Sequence, residues 1–181
     1  MASAASDTAS GDRADRIRSL RAGRRVALAA VFEADFGQRT ATAVLERQLA
    51  EHEASAVAGA LAREIVAGVV AHRDSIDARI ERLAPQFPVV QMARMDRSLL
   101  RCALSEVLDS RTPPRVAIAE WVELARIYSG DPMRRLMNGV LGQVARESAD
   151  SQAASPSSEE GVRGNDLRAA QEDRRRAARR R

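Results

Sequence analysis

The stretch RMDRSLLRCALSEVL, Arg94 to Leu108, decides the fold. From Asp96 onward its apolar residues Leu99, Leu100, Cys102, Ala103, Leu104, Val107 and Leu108 occupy more than one helical stripe, which describes a central helix covered on several sides. Such a helix needs neighbours, and the flanking sequence supplies them with helical period. Upstream, Leu28, Val31, Phe32 and Phe36 repeat at i, i+3, i+4, and Gly37 follows as a stop. Thr40 can cap a short helix carrying Val44, Leu45 and Leu49. A longer stripe then runs Val57, Leu61, Ile65, Val69, His72, Ile76, Ile80, Leu83, at about 3.7 residues per turn. It predicts one long helix, or two with a kink near Asp74. His72, on this stripe, reads as a half-buried helix histidine rather than a ligand or a base.

Downstream, Pro85 and Pro88 mark a loop, and Thr112, Pro113 and Pro114 open a helix whose inner face is Ile118, Trp121, Val122, Ala125 and Tyr128. Ser129, Gly130, Asp131 and Pro132 end it and start a last helix with Met133, Met137, Val140, Leu141 and Val144 inward. No stretch alternates as a strand would. The expected fold class is therefore all-α, a compact bundle of about six or seven helices.

The chain has 181 residues, 45% hydrophobic but only 3% aromatic, so Ala, Val, Leu and Ile must build the core. Residues 1–12, MASAASDTASGD, lack large apolar groups and are expected to be disordered. Residues 13–147 form the expected folded body. Residues 148–181 read as a disordered Ser/Ala/acid linker followed by an Arg-rich tail. No apolar run approaches the roughly 20 residues of a spanning helix, and no export signal is evident, so a soluble, cytoplasmic protein with no membrane contact is expected.

All 29 basic residues are Arg. Six of them, Arg13 to Arg25, face the single acid Asp15, and six more lie between Arg174 and Arg181 with no acid among them. Between these ends, from Val26 to Asp173, 22 acids exceed 17 arginines. Basic charge held at the ends points to a polyanion such as RNA. The tail is either a non-specific polyanion arm or a solubilising segment.

Whole enzyme classes are excluded by what is missing. Cys102 is the only cysteine, which removes intrachain disulfides and thiolate zinc clusters. The two histidines have no metal-ligand spacing, there is no phosphate-binding glycine motif, and zero lysines leave no Schiff-base amine. No catalytic residues, no metal and no cofactor are expected.

The order of motifs carries a resemblance. A basic helix start, RAGRRVALAAVFEADF, is followed by REIVAGVVAHRDSIDARI, RMDRSLLRCALSEVL, PPRVAIAEWVELARIYSG and LMNGVLGQVAR. From Arg21 to about Arg146 this series resembles the NusB family of bacterial transcription antitermination factors. The strongest pieces are Asp96, Arg97, Leu100, Arg101 and Glu106, then Val116, Ile118, Glu120, Val122, Glu123, Leu124 and Ala125, then Asn138, Gly139, Val140 and Leu141. This chain departs from the family pattern at Ser105, Ala119, Trp121, Leu136 and Gly142.

The resemblance implies a non-catalytic helical protein that binds boxA-type single-stranded RNA of ribosomal RNA leaders together with the ribosomal protein NusE. The pair holds RNA polymerase in an antitermination complex and supports ribosomal RNA maturation. Some members of that family are homodimers, so a dimer is an open expectation. Two alternatives stand beside it: a helical protein adaptor without RNA, and a stand-alone relative of the RNA-binding domain of rRNA cytosine methyltransferases. No methyltransferase domain follows in the sequence, which favours the free-standing factor.

Arg18, Arg21 and Arg25, spaced three and four apart, share one helix face with Arg24 flanking it; these four are the expected RNA contacts. Cations at a helix N-terminus oppose the macrodipole, an arrangement that bound phosphate would relieve. Phe32, where the family often has Tyr, packs in the core with an outer edge open to a protein partner. Asp96 and Arg97, near the RNA and NusE surface by resemblance, are further partner candidates. Trp121 belongs to the core by periodicity. Asn138 and Gly139 read as a helix interior where glycine permits close packing and the amide bonds a loop.

Overall fold

The computed structural model describes residues 2–153, with side-chain surroundings for residues 11–150. Among the described residues there are six α-helices and one 3-10 turn, and no strand. Helix α1 spans Ala2–Ala34, α2 Ala41–Glu51, α3 Ala56–Leu83, α4 Arg94–Asp109, α5 Pro114–Ser129 and α6 Asp131–Ala153, with the turn at Val89–Gln91. A compact unit covers Met1–Arg146, and the residues of α6 from Glu147 onward fall in a separate unit.

Helix α4 is the axis. Every residue from Ser98 to Val107 is buried, as its more than one apolar stripe requires. Leu28 and Val31 of α1, Ile65 and Val69 of α3, Trp121 and Ala125 of α5, and Met137 and Leu141 of α6 join it in one apolar core. The helix boundaries follow local chemistry. Thr40 Oγ1 accepts the Ala43 N–H at the start of α2, and Ser55 Oγ accepts the Ala58 N–H at the start of α3. Gly37 and Gly130 take φ of +79° and +90°, the left-handed conformation that ends a helix without a Cβ clash.

Two close approaches draw the other helices in. A Cβ on Gly23 would lie 2.6 Å from the backbone oxygen of Ala58, so α1 and α3 cross nearly backbone to backbone there. Gly68 of α3 lies against Ser105 Oγ of α4, which donates to the Ile65 carbonyl at 2.9 Å. A bulkier side chain at Ser105 would push these two helices apart.

Several expectations change. Helix α1 reaches back to Ala2, well ahead of Arg13, because Ala, Ser and Arg sustain a helix with no burial; residues 11–18 are all exposed. Its arginines therefore lie mid-helix, and the macrodipole argument does not apply to them. Helix α6 likewise continues past 147 to Ala153, and the Arg-rich tail lies outside the described residues. The kink of α3 falls at His72 (φ −120°, ψ 19°), whose carbonyl accepts the Ser75 hydroxyl. At the kink His72 is exposed rather than half-buried, while the stripe continues in register from Val69 to Ile76 and Ile80. Gly139 faces open space, so no close packing explains it, and Asn138 is exposed.

Cys102 is fully buried, and burial, aided by the Glu106 carboxylate, pushes its thiol well above the ordinary range; it is a packing residue and not a nucleophile. No described helix is long and apolar enough to cross a membrane.

The Gly23 contact yields a direct test. Ala58 O is backbone and cannot swing aside, so Gly23→Ala must separate α1 from α3. It is expected to cost about 1–3 kcal/mol in urea unfolding, despite alanine's better helix propensity. Unchanged or increased stability would show that the crossing is not tight.

Candidate nucleic-acid interface

The arginines of α1 divide into two groups by helical rotation. Arg24 shares the inner stripe with Ala27, Leu28 and Val31, at i+3, i+4 and i+7, and is 2% exposed. Its Nε and Nη2 donate to the Glu106 carboxylate of α4 at 2.9 and 2.6 Å. The indole Nε1 of Trp121 in α5 donates to the same carboxylate at 2.7 Å. Arg24 is thus a structural residue, and its expected RNA contact is corrected: the guanidinium is held by a buried acid and is almost wholly withdrawn from solvent.

Arg18, Arg21 and Arg25 remain outside. Arg18 pairs with Asp15 one turn earlier. Arg21 reaches across to α5, where Nε and Nη2 grip Glu120 at 2.9 Å each. The hydrogen bonds and charge of Glu120 raise the Arg21 pKa, so its positive charge is permanent. Arg25 is exposed and borders a cavity of about 340 Å³ with Leu28, Phe32, Phe36, Met95 and Tyr128.

That cavity brings Arg25 and Phe32 together. Phe32 is half-buried, and its ring meets Phe36 edge to face with centroids 5.4 Å apart. Phe36 and Tyr128, both expected to point inward, are 52% and 44% exposed. Each lies at the end of its helix, beyond the neighbours that would cover it. The Arg94 guanidinium stacks over Phe36 at 4.4 Å, a contact that sequence reasoning missed because its partners stand 58 positions apart. A cavity floored by aliphatic groups, rimmed by aromatic rings and flanked by Arg25 and Arg94, with its one acid Glu33 paired to Arg47, can take an unpaired nucleobase by stacking and its phosphates by charge.

Asp96 and Arg97 follow Met95 of the cavity wall in sequence, do not line the cavity, and are engaged internally. Asp96 accepts the Ser129 hydroxyl, tying α4 to the end of α5. Arg97 donates from Nε to Asp35 at 2.8 Å and retains only 18% side-chain exposure. Neither presents an uncommitted charge to the cavity. Among the described residues no group of His, Cys, Asp or Glu could hold a metal ion.

Comparison with known proteins places this arrangement. The transcription antitermination protein NusB of Heliobacterium modesticaldum is 40% identical over 145 residues, covering 80% of this chain and 70% of that protein. The corresponding protein of Dehalococcoides mccartyi strain CBDB1 is 35% identical over 133 residues, covering 73% and 93%. A solved structure of T. maritima NusB matches with a TM-score of 0.65 and 27% identity over 70% of this chain and 90% of its own. A structure of antitermination factors NusB and NusE in complex with dsRNA shares the fold at 21% identity and a TM-score of 0.62, covering 72% of this chain and 98% of its own. The class these neighbours define is that of helical transcription antitermination proteins. The match to the NusB family runs over residues 21–146, and the chain belongs to that family.

The two groups of arginines should behave oppositely on mutation. Arg24→Ala strands the buried Glu106 carboxylate and is expected to cost about 3–5 kcal/mol in chemical denaturation. Arg25→Ala removes an exposed side chain and should fall within about 0.5 kcal/mol of the parent. Equal, small effects would contradict the buried pair.

Proposed function

We propose that this protein is a transcription antitermination factor that binds boxA-type single-stranded RNA in partnership with NusE, acting in the cytoplasm as part of an RNA polymerase antitermination complex. Family membership supports the general role. The observation that carries the RNA reading is the exposed arginine face of α1 leading into the aromatic-rimmed cavity at Arg25 and Phe32. Arg18, Arg21 and Arg25 supply phosphate contacts, while Phe32, Phe36 and Tyr128 supply surfaces for bases or for the protein partner. In this reading Asp96 and Arg97 support the rim. Two proteins gripping one strand bind it more tightly than either alone, because the first contact makes the second effectively intramolecular.

The salt dependence of binding tests this reading. Arg18→Ala, Arg21→Ala and Arg25→Ala together should remove about three phosphate contacts and reduce the log-log salt slope for single-stranded boxA RNA by about 2, at roughly 0.7 per contact. Helical content and melting should be retained, since the three side chains are exposed. Addition of NusE should tighten RNA binding by the parent. An unchanged slope removes the α1 face from the RNA site, and partners recovered from lysate without RNA and regardless of nuclease would favour a protein adaptor.

A further inference from the structure

Just past the end of α1, Asp35 stands at the centre of a guanidinium cluster, most of which the RNA reading above leaves unused. Its carboxylate is 5% exposed and receives Arg97 Nε at 2.8 Å and Arg101 Nη1 at 3.3 Å. Arg101, itself nearly buried, also donates to both oxygens of Asp77 at 2.8 and 2.7 Å. These inner groups satisfy one another. Two further arginines stand around the same carboxylate beyond hydrogen-bond distance, Arg73 at 3.6 Å and Arg94 at 3.7 Å, with side chains 57% and 50% exposed. Arg39, exposed, joins Asp35, Arg73 and Arg101 around a cavity of about 260 Å³.

The charges do not cancel. Four guanidinium groups, Arg73, Arg94, Arg97 and Arg101, surround two carboxylates, Asp35 and Asp77, and a fifth, Arg39, lines the same cavity. Asp74, adjacent to Arg73 in sequence, is exposed and lines no part of the cavity. The inner arginines take the hydrogen bonds of these carboxylates, and Arg39 and Arg73, which line the cavity, stand outside them. Most of its remaining wall is apolar, formed by Val31, Ala34, Val69 and Val70. Thr40 and Ala41, at the positive end of α2, also line it.

We infer that this cavity is a phosphate-binding site, in which Arg39 and Arg73 hold the oxygens of a phosphate group and the Asp35-centred cluster keeps their surroundings positive. Planar guanidinium groups match phosphate oxygens in pairs, and a tetrahedral anion satisfies both arginines at once. The phosphate can belong to an RNA backbone or be free in solution; the recognising chemistry is the same. The site flanks α1 opposite the aromatic cavity, and Arg94 spans the two, stacked on Phe36 and 3.7 Å from Asp35. A strand leaving the aromatic cavity would meet Arg94 and then Arg73. Only this RNA source rests on the proposed function; binding of free phosphate does not.

The test uses the full chain and Arg39→Ala with Arg73→Ala, both exposed positions, with folding checked by circular dichroism. Arg115→Ala with Arg135→Ala, two exposed arginines remote from the cavity in sequence, serves as the charge-matched control. One measurement is the melting midpoint in inorganic phosphate against chloride at equal ionic strength. The other is the log-log salt slope for a single-stranded RNA oligonucleotide. The site predicts that phosphate raises the midpoint of the parent and the control by more than its general salting-out effect on the cavity variant, or that the cavity variant alone loses about 1.4 from the slope, two contacts at roughly 0.7 each. Phosphate protection without a slope change assigns the site to free phosphate, and a slope change without protection assigns it to the RNA backbone. Absence of both, or equal losses in control and cavity variants, overturns the site. If the parent binds no RNA at all, the proposed function fails while the phosphate measurement still decides this one.

Discussion

The pair between Arg24 and Glu106, closed from the third side by Trp121, is the constraint on which the remaining geometry depends. It joins α1, α4 and α5 at one buried point. Burying two charges is costly, and only complete hydrogen bonding makes it tolerable: both carboxylate oxygens are taken, and the guanidinium uses two of its nitrogens. A buried pair of this kind leaves one rotation of α1 acceptable. Turning the helix by one residue, about 100°, would pull Arg24 from its partner and carry Arg25 into the apolar core.

That rotation sets everything on the surface of α1. Arg21 and Arg25 point outward because Arg24 points inward, and the same phase places Phe32 and Phe36 on one flank and Asp35 on the other. Helix α1 therefore separates an aromatic cavity from a cationic one, and Arg94 of α4 reaches both. The acids of the body are consumed in holding arginines at defined positions: Glu120 for Arg21, Asp35 for Arg97, Asp77 for Arg101. Acids spent in this way thus coexist with local surpluses of positive charge.

The helices were legible wherever burial follows from period alone. The continuous apolar surface of Leu99 to Val107 predicts a central helix, and caps such as Thr40 and the stop at Gly130 are local events that their own residues decide. What period does not show is which neighbour covers a given position. Phe36 and Tyr128 keep the helical phase yet stand past the ends of the packed region, and the kink, expected near Asp74, falls at His72 and turns that residue out of the stripe. Arg24 was half legible: its phase with Leu28 and Val31 was visible, as was a lone Glu106 inside an apolar helix. Their pairing spans 82 positions and becomes apparent only when both are read as buried. The Asp35 cluster gathers α1, α3 and α4, and no local pattern marks it.

The indole of Trp121 has a practical meaning as well. It is the only tryptophan in the chain and is wholly buried, with its N–H on the Glu106 carboxylate. Intrinsic emission excited at the red edge of protein absorption therefore originates from one point, the meeting of α1, α4 and α5. The fluorophore is an internal gauge of that junction: its spectrum follows water entry between three named helices, not an average over the molecule. Both cavities are lined by other residues, so occupancy there can be followed with an extrinsic dye while the native signal independently monitors the integrity of the fold.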